Sequence, residues 1–416
     1  MTDRSLLVYV DLEGAPHLVG RLWARSRKGK ESATFEYDSA WLADPLRFAL
    51  EPALTLGKGP HHTTAGRLIF GAIGDSAPDR WGRVLIQRDE RRKAREEKRT
   101  PRTLLEIDYL VGVGDIARQG ALRFTETEGG QFLATGVQIP PLIQLPVLLG
   151  AAMRMSEDGG SDDDLRLLLA PGSSLGGARP KASVVDKDGQ LAIAKFPQHG
   201  DFVRVSLWEA VALKLAAQAG IATPDWRVEK IADRDVLLLR RFDRRGNVRI
   251  PFLSAMSLLN AADNEPHSYM EIADALRQYG AKADDDCAQL WRRIVFSILI
   301  SNSDDHLRNH GFLYETSGWR LSPAYDMNPV PVDIKPRILT TAIDEADGTA
   351  SLDLAFEVAP HFGVKPGKAR IIVREVGTAV ARWRETAAAT GLASPEIERM
   401  ASAFEHKDLT GAIATL

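Results

Sequence analysis

Hydrophobic positions follow two different periods along this chain. In roughly the first fifty residues, apolar and polar side chains alternate in short runs, SLLVYVDLEG, LVGRLWARS and SATFEYDSAWL, which predict the strands of a small sheet. The turn DSAPDRWG then precedes a charge-rich helix. Residues 156–164, SEDGGSDDD, are polar and predict a flexible linker or surface loop.

Beyond this segment the pattern changes to a Gly-rich loop, two strands and then helices. LAIAKFP (191–197) and DVLLLRRF (235–242) predict strands, and SLWEAVALKLAAQAG (206–220) predicts an amphipathic helix that ends at a glycine. The remainder is mostly helical in its spacing of apolar residues. A β-rich part followed by an α-rich part predicts an α+β fold of two lobes with a cleft between them.

The composition excludes several classes of protein. The chain has 416 residues, 44% hydrophobic and 26% charged, as in an ordinary globular protein. Its net charge of -3 argues against a protein whose main task is to coat nucleic acid. Residues 88–99 mix seven basic with four acidic side chains, which predicts a solvated helix face. The single cysteine, Cys287, leaves no intramolecular disulfide and favours a reducing compartment. Because no signal or membrane-spanning run is present, we expect a cytoplasmic protein.

The stretch SNSDDHLRNHG, residues 301–311, concentrates candidate chemistry. WRRIVFSILISN predicts a buried helix that ends near Asn302, so that Asp304 and Asn309 lie in a loop at its end. GFLYETSGWRLSPAYD then predicts a hairpin that returns the chain, and we expect Asp326 to lie near both side chains. Carboxylate and amide oxygens of this kind suit Mg²⁺.

The order of these residues favours phosphoryl transfer. Asp304 and Asn309 have the spacing of the protein-kinase catalytic loop H-R-D-x-x-x-x-N. A kinase also needs a Gly-rich loop, a strand lysine and a helix glutamate, and the loop at 171–183, Lys195 and Glu209 follow in that order. The loop supplies Gly172, Gly176, Gly177, Arg179 and Lys181. Each signal alone is weak, but coincidence does not readily explain all of them in this order.

Other interpretations of single residues stay open. Ser206 and Glu209 form the S-x-x-E pattern of a helix capping box, which would explain the glutamate without catalysis. The histidines and aspartates of the 301–311 stretch could bind a transition metal in a phosphohydrolase, although the Gly-rich loop, Lys195 and the hairpin would then be unexplained. We expect His310 to cap or pack beside the hairpin, and the tryptophans to pack in the core.

The sequence resembles the HipA family of bacterial serine/threonine kinases, the toxins of type II toxin–antitoxin modules. GSSLGGARPKAS, AKFP, LRRFDR, SNSDDHLRNHGFLY and LSPAYDMNP carry the resemblance, with FEYDSAWL and GDSAPDRWGR in the N-terminal part. The resemblance runs from about residue 5 to 390 and implies a bilobed protein-kinase-like fold. It divides the chain into a HipA N-terminal subdomain (1–155), a kinase N-lobe-like part (156–245) and a helical catalytic C-lobe (246–416).

The resemblance also implies roles for individual residues. Asp304 would orient the substrate hydroxyl and accept its proton, while Asn309 and Asp326 would hold Mg²⁺. Lys195, positioned by Glu209, would pair with the ATP phosphates. The other residues implied to contact ATP are Gly176, Gly177, Lys181, Arg240, Phe242, His306 and Asn309.

LRRFDR would be the hinge between the lobes, where backbone groups at Arg240 and Phe242 meet the adenine. Family members commonly carry Glu where Arg240 stands, a change that a backbone contact survives. Autophosphorylation of a serine in the Gly-rich loop, Ser174 or the adjacent Ser173, would eject the loop and inactivate the enzyme.

The partners are implied by the resemblance alone. The family phosphorylates a translation component, with an aminoacyl-tRNA synthetase such as glutamyl-tRNA synthetase the expected target, and thereby arrests growth. A helix-turn-helix antitoxin similar to HipB would hold the toxin on DNA. A catalytically silent corepressor is the alternative, but the intact set of Lys195, Asp304, Asn309 and Asp326 argues against it.

Overall fold

The computed structural model describes residues 2–27, 30–64, 66–136, 138–157, 159–172 and 177–414. Within this part of the chain, no helix is both long enough and apolar enough to span a membrane.

Strands and helices both occur along the described chain. The strands are β1 (Thr2–Leu12), β2 (Ala15–Arg27), β3 (Lys30–Tyr37), β4 (Pro60–His62), β5 (Leu122–Thr125), β6 (Lys181–Val185), β7 (Leu191–Lys195), β8 (Trp226–Ile231), β9 (Arg234–Arg240), β10 (Arg244–Arg245), β11 (Val248–Arg249), β12 (Phe252–Ser254), β13 (Gly311–Glu315) and β14 (Gly318–Leu321). The helices are α1 (Ser39–Ala43), α2 (Gly71–Gly74), α3 (Arg80–Glu96), α4 (Glu106–Gly112), α5 (Leu145–Ser156), α6 (Asp162–Gly172), α7 (Val205–Gln218), α8 (Ala255–Leu258), α9 (Tyr269–Tyr279), α10 (Ala283–Leu299), α11 (Leu352–Val358), α12 (Pro366–Val380), α13 (Trp383–Ala389), α14 (Ser394–Arg399), α15 (Ala401–Phe404) and α16 (Lys407–Ala414). Short 3-10 helices lie at Leu142–Gln144, Leu307–Asn309 and Ala359–Phe362. The predicted α+β class is confirmed.

The chain folds as two compact units. One comprises Met1–Gly200 and Glu229–Leu253, and the other comprises Asp201–Val228 and Ser254–Leu416. This division differs from the predicted boundaries after residues 155 and 245. Helices on both sides of residue 156 share one hydrophobic core, which keeps them in the same unit. The predicted linker at 156–164 also contributes the first turn of α6.

The first unit begins with an antiparallel sheet of strand order β4-β3-β2-β1-β5. The three strands predicted from alternation are confirmed, but the predicted third strand is too long. It ends at Tyr37, and its last residues form α1 instead. The physical reason is the Asp38 side chain, which accepts a hydrogen bond from the backbone N–H of Ala40 at 2.8 Å and so caps the helix.

A second sheet in the first unit, of order β6-β7-β9-β8, positions the basic residues of the candidate site. Its core side chains pack against α3, α5 and α6, and Trp81 at the start of α3 belongs to that core. Lys181 on β6 lies opposite Lys195 on β7, and Lys195 lies opposite Leu237 on β9. The two strand lysines are therefore direct neighbours across one antiparallel pair.

The second unit is built around α10. Trp291, Ile294 and Ile298 on this helix are fully buried, which accounts for the apolar run that predicted a buried helix. The predicted hairpin is confirmed, with Glu315 of β13 opposite Gly318 of β14. Gly318 is required because it has a φ of +149° and an added Cβ would lie 2.7 Å from a backbone oxygen.

The predicted capping box at the start of α7 is wrong. The helix begins at Val205 after Arg204, and no side chain caps it. Ser206 therefore lies inside the first turn, where it does not occupy the position that a capping side chain needs. Glu209 is buried on α7, with 3% of its surface exposed.

Candidate active site

The end of the Gly-rich loop is held by the first turn of α3. The backbone N–H of Gly177 donates to Asp79 Oδ2, and the backbone N–H of Trp81 donates to the oxygen of Gly177 at 3.3 Å. The indole Nε1 of Trp81 donates to the backbone oxygen of Lys181 at 3.0 Å. Trp81 was expected only to pack in the core, and its buried ring does so, but its polar atoms also fix the base of the loop.

Gly177 brings the loop close to a buried cation. Its φ of +95° lies in the left-handed region, and an added Cβ would be 2.5 Å from Nζ of Lys181. Lys181 is only 4% exposed, while Lys195 on the neighbouring strand is half-buried. The described loop end and two lysines thus lie together, a charge distribution that suits phosphate oxygens.

Several other residues of the predicted loop either belong to a helix or lie outside the described residues. Gly172 ends helix α6 and does not belong to a loop. Ser173, Ser174 and Gly176 lie outside the described residues.

The LRRFDR segment carries a buried charge cluster. Asp243 forms ion pairs with Arg241 at 2.6 Å and Arg244 at 2.9 Å, and accepts from the backbone N–H of Gly120 at 2.8 Å. Burial alone would raise the pKa of Asp243, but the two guanidinium groups and these hydrogen bonds hold it well below its usual value. These side chains tie the segment to the N-terminal part of its own unit.

The two predicted adenine contacts lie at the edge of this cluster. The Arg240 side chain is partly exposed and pairs with Asp188. The ring of Phe242 lies 6.3 Å from that of Phe252. Both side chains thus have protein partners, and the adenine contact expected of their backbone groups stays a prediction.

The loop after α10 presents Asp304 to solvent. The Asp304 side chain is 71% exposed, and its backbone oxygen accepts hydrogen bonds from the backbone N–H of His306 at 3.0 Å and from Asn309 Nδ2 at 3.1 Å. Asn309 is buried, with 9% of its surface exposed. Oδ1 is the atom of Asn309 that could bind Mg²⁺, because an amide nitrogen donates hydrogen bonds and is not a metal ligand. The hydrogen bond from Nδ2 fixes the orientation of the amide group.

The segment with Asp326 is bound to the same loop on both sides. Tyr325 donates its hydroxyl to the backbone oxygen of Arg308 at 2.9 Å, and the backbone N–H of Asn328 donates to Asn302 Oδ1 at 3.1 Å. Asp326 itself has a φ of +55°, a left-handed conformation that costs about 1–3 kcal/mol in a residue with a side chain and persists only where surrounding contacts compensate for it. The structure thus brings the segment of Asp326 to the loop, as the hairpin predicted, through Asn302 and Tyr325, whose roles the sequence did not indicate.

Asp305 and His310 point into the protein. Asp305 Oδ1 lies 2.9 Å from His310 Nε2, and Oδ2 accepts from the hydroxyls of Tyr269 and, at 3.1 Å, Ser297. All four residues are buried, with at most 4% of their surface exposed. Burial by itself would raise the pKa of Asp305, but His310 and these hydrogen bonds lower it below its usual value, whereas burial and Asp305 raise that of Tyr269.

This buried cluster bears on the transition-metal alternative. His310 directly precedes β13 and lies edge-on to Tyr269 of α9, with ring centroids 5.4 Å apart. Its packing beside the hairpin stays a prediction. Across the described ranges, no three His, Cys, Asp or Glu side chains are grouped to hold a metal ion. His306 precedes the 3-10 helix and is half-buried.

Comparison with known proteins adds a family and a fold. A family model described as the HipA-like C-terminal domain matches residues 173–383. Sinorhizobium fredii Y4mE, provisionally named a kinase, is 25% identical over an alignment of 205 positions, which covers 42% of this chain and 49% of that protein. Escherichia coli "Toxin YjjJ" is 28% identical over an alignment of 173 positions, which covers 38% of each protein. The matched stretches thus span half or less of these curated relatives.

A solved structure covers nearly the whole chain. A chain of the Shewanella oneidensis MR-1 complex of HipA, HipB and operator DNA superimposes with a TM-score of 0.67 at 16% identity, over 99% of this chain and 96% of that one. At this identity the match establishes the fold. It agrees with the kinase-like α+β fold that the sequence resemblance implied.

Proposed function

Since the chain belongs to the HipA-like C-terminal domain family, we propose that it is an ATP- and Mg²⁺-dependent serine/threonine protein kinase that acts as the toxin of a toxin–antitoxin module. One observation carries the chemistry. An exposed Asp304 lies on a loop braced by Asn309 five residues later, and the segment of Asp326 is bound to that loop. These contacts support the proposal, because the kinase catalytic loop carries its catalytic Asp and a metal-binding Asn five residues apart.

The proposed reaction transfers the γ-phosphoryl group of ATP to a serine or threonine hydroxyl. The bond between the γ-phosphorus and the β,γ-bridging oxygen of ATP breaks, ADP leaves, and a new bond forms from phosphorus to the serine or threonine oxygen. Asp304 orients that hydroxyl and accepts its proton. A loose transition state depends on positioning and charge neutralisation more than on covalent chemistry. Mg²⁺ held by Asn309 and Asp326 would supply part of that neutralisation when bound.

The nucleotide is proposed to lie along the basic strands of the first unit. Lys195, oriented by Glu209, would pair with the phosphates beside Lys181 and Gly177. The further residues proposed to contact ATP are Gly176, Arg240, Phe242 and His306. The support for the phosphate part is the buried position of Lys181 next to the loop glycine.

Regulation and partners are proposed from the family. Phosphorylation of Ser174 or Ser173 would add about two negative charges where ATP phosphates lie and so switch the enzyme off. A helix-turn-helix antitoxin similar to HipB would bind the toxin and hold it on DNA, by analogy with the Shewanella complex of HipA, HipB and operator DNA. The proposed target is an aminoacyl-tRNA synthetase, whose modification would arrest growth.

Incubating the purified chain with γ-labelled ATP tests the proposal. We expect Mg²⁺-dependent transfer of label to Ser174 or Ser173, located by mass spectrometry, or to a protein in a bacterial extract. EDTA should abolish the transfer, and α-labelled ATP should give no protein label. If neither the chain nor any extract protein gains γ-label above the α-label control, the proposed activity is wrong.

A second experiment tests how the loop is held. Asp79→Ala removes the acceptor of the Gly177 N–H, and we expect ATP binding to weaken about tenfold, equivalent to one lost charge-assisted hydrogen bond. Asp79 also caps α3, so the matched control is Asp38→Ala, which removes the cap of α1. Titration with a fluorescent ATP analogue should detect weaker binding only for Asp79→Ala. Equal affinities in both variants would contradict an anchoring role for Asp79.

A further inference from the structure

The segment that follows Asp326 brings a lysine to Asp304. Lys335 Nζ lies 3.6 Å from Asp304 Oδ1 and donates a hydrogen bond to the backbone oxygen of Ser303 at 3.1 Å. The two charged side chains are 42% and 71% exposed, so their ion pair contributes only about 0–1 kcal/mol to folding stability. Stability therefore does not explain why an ammonium group lies beside this carboxylate.

The backbone around Lys335 is held against the same loop. The oxygen of Pro331 accepts from the backbone N–H groups of Ile334 at 3.0 Å and Lys335 at 3.2 Å, which closes a turn. Thr340 Oγ1 donates at 3.0 Å to the backbone oxygen of Ser303, the carbonyl that Lys335 also reaches. On the other side of Lys335, the backbone N–H of Val330 donates to the backbone oxygen of Ser301 at 3.2 Å. The lysine thus extends from a segment that contacts the candidate catalytic loop at both ends, so its position is partly preorganised.

Lys335 differs from the arginines of the neighbouring segments. Each of these arginines pairs with a carboxylate other than Asp304. The pairs are Arg308 with Asp263, Arg337 with Asp408 and Arg399 with Asp333. Lys335 instead faces the carboxylate that is proposed to receive the substrate hydroxyl.

We propose that Lys335 is a further catalytic residue, whose ammonium group contacts the phosphoryl group during its transfer beside Asp304. The inference rests on the proposed kinase activity. Phosphoryl transfer spreads negative charge over three oxygens, and a cation already in place stabilises that charge without reorganisation. An ammonium group has three donors. One is used on Ser303, which leaves donors for phosphate oxygens.

The test compares Lys335→Met, which removes the charge but keeps the length, with Lys335→Arg, which keeps the charge. Lys368→Met, an exposed lysine on α12, is the matched control. For Lys335→Met we expect kcat to fall about 100-fold, the usual effect of losing one electrostatic contact in a transition state. Because part of the contact with the γ-phosphoryl group also exists in bound ATP, we expect KM for ATP to rise, but by a smaller factor than kcat falls. Lys335→Arg should restore most of the lost rate, and Lys368→Met should behave as wild type.

Nucleotide affinity separates contact with phosphate from a structural role. If Lys335 touches the γ-phosphoryl group, Lys335→Met weakens binding of the ATP analogue AMP-PNP more than binding of ADP. Thermal unfolding of each variant checks the fold, and Lys335→Gln replaces the Met variant if that one is unfolded.

Two results overturn the inference. The first is a wild-type rate for Lys335→Met. The second is a loss of rate that is the same for Lys335→Met and Lys335→Arg, together with a loss of affinity that is the same for ADP and AMP-PNP. If wild-type protein itself transfers no phosphate, the proposed kinase activity fails first, and that result is distinct from failure of the lysine.

Discussion

Replacing Asp304 by asparagine is expected to reduce phosphoryl transfer by about 10³-fold or more, within the range that a positioned proton acceptor contributes. Asparagine keeps the size of the side chain but cannot accept the hydroxyl proton. The backbone oxygen of Asp304 would still accept from Asn309 Nδ2, so the loop should keep its shape. Initial rates with γ-labelled ATP and a substrate shown to be labelled by wild-type protein measure the effect.

The control for Asp304→Asn is Asp333→Asn. Asp333 is also exposed and pairs with Arg399 at 2.6 Å on the segment that follows Asp326. Both variants should unfold at nearly the same urea concentration as wild type, because exposed ion pairs contribute little to stability. Only Asp304→Asn should lose activity. A variant at residue 304 that transfers phosphate at the wild-type rate would remove Asp304 from the proposed mechanism.

Replacing the adjacent Asp305 by alanine is expected to affect stability, where Asp304→Asn affects activity. We expect the variant to lose about 3–5 kcal/mol of folding free energy, as when one partner of a buried ion pair is removed. His310 would lose its carboxylate, and the hydroxyls of Tyr269 and Ser297 would lose their acceptor. These groups are buried, so water cannot readily replace the lost contacts. Equilibrium unfolding in urea measures the change.

Asp304→Ala is the matched control for stability, since it truncates the same residue type one position earlier on an exposed side chain. Its free energy of unfolding should stay within about 1 kcal/mol of wild type. The pKa of Asp305 is lowered in the folded state, so its stabilisation is present above its usual pKa of about 4 and is lost as the pH falls through the lowered value. The difference in free energy of unfolding between wild type and Asp305→Ala should therefore become smaller at acidic pH. Equal stability of both alanine variants at neutral pH would show that the buried cluster does not stabilise the fold.

Local patterns predicted much of the fold. Alternation located the first three strands, and the turn residues between β13 and β14 placed that hairpin, because both signals depend on neighbours in the sequence. Element ends were less predictable. One aspartate, Asp38, converts the end of the third predicted strand to helix, and α7 begins one residue before Ser206, which removes the predicted capping box.

Local patterns also indicated part of the candidate site. The spacing of Asp304 and Asn309 led to a real contact, since Asn309 Nδ2 reaches the oxygen of Asp304. The contacts of Asp79 and Trp81 with Gly177 were not predicted. They join residues about a hundred positions apart, and the GDSAPDRWGR motif carries a family resemblance without any indication of what it touches.

By itself the sequence determined the order of the chemical groups, which are a Gly-rich loop, a strand lysine and an Asp and Asn five residues apart before a hairpin and a second Asp. These features depend on short spacing, which the chain preserves in any fold. The tertiary structure alone decided which of two adjacent aspartates faces solvent, because a bend in the loop turns Asp304 outward and Asp305 toward His310. It also decided that Lys335 lies beside Asp304. The two residues are about thirty positions apart, and the local pattern of apolar and polar positions does not indicate contacts at that distance in the sequence.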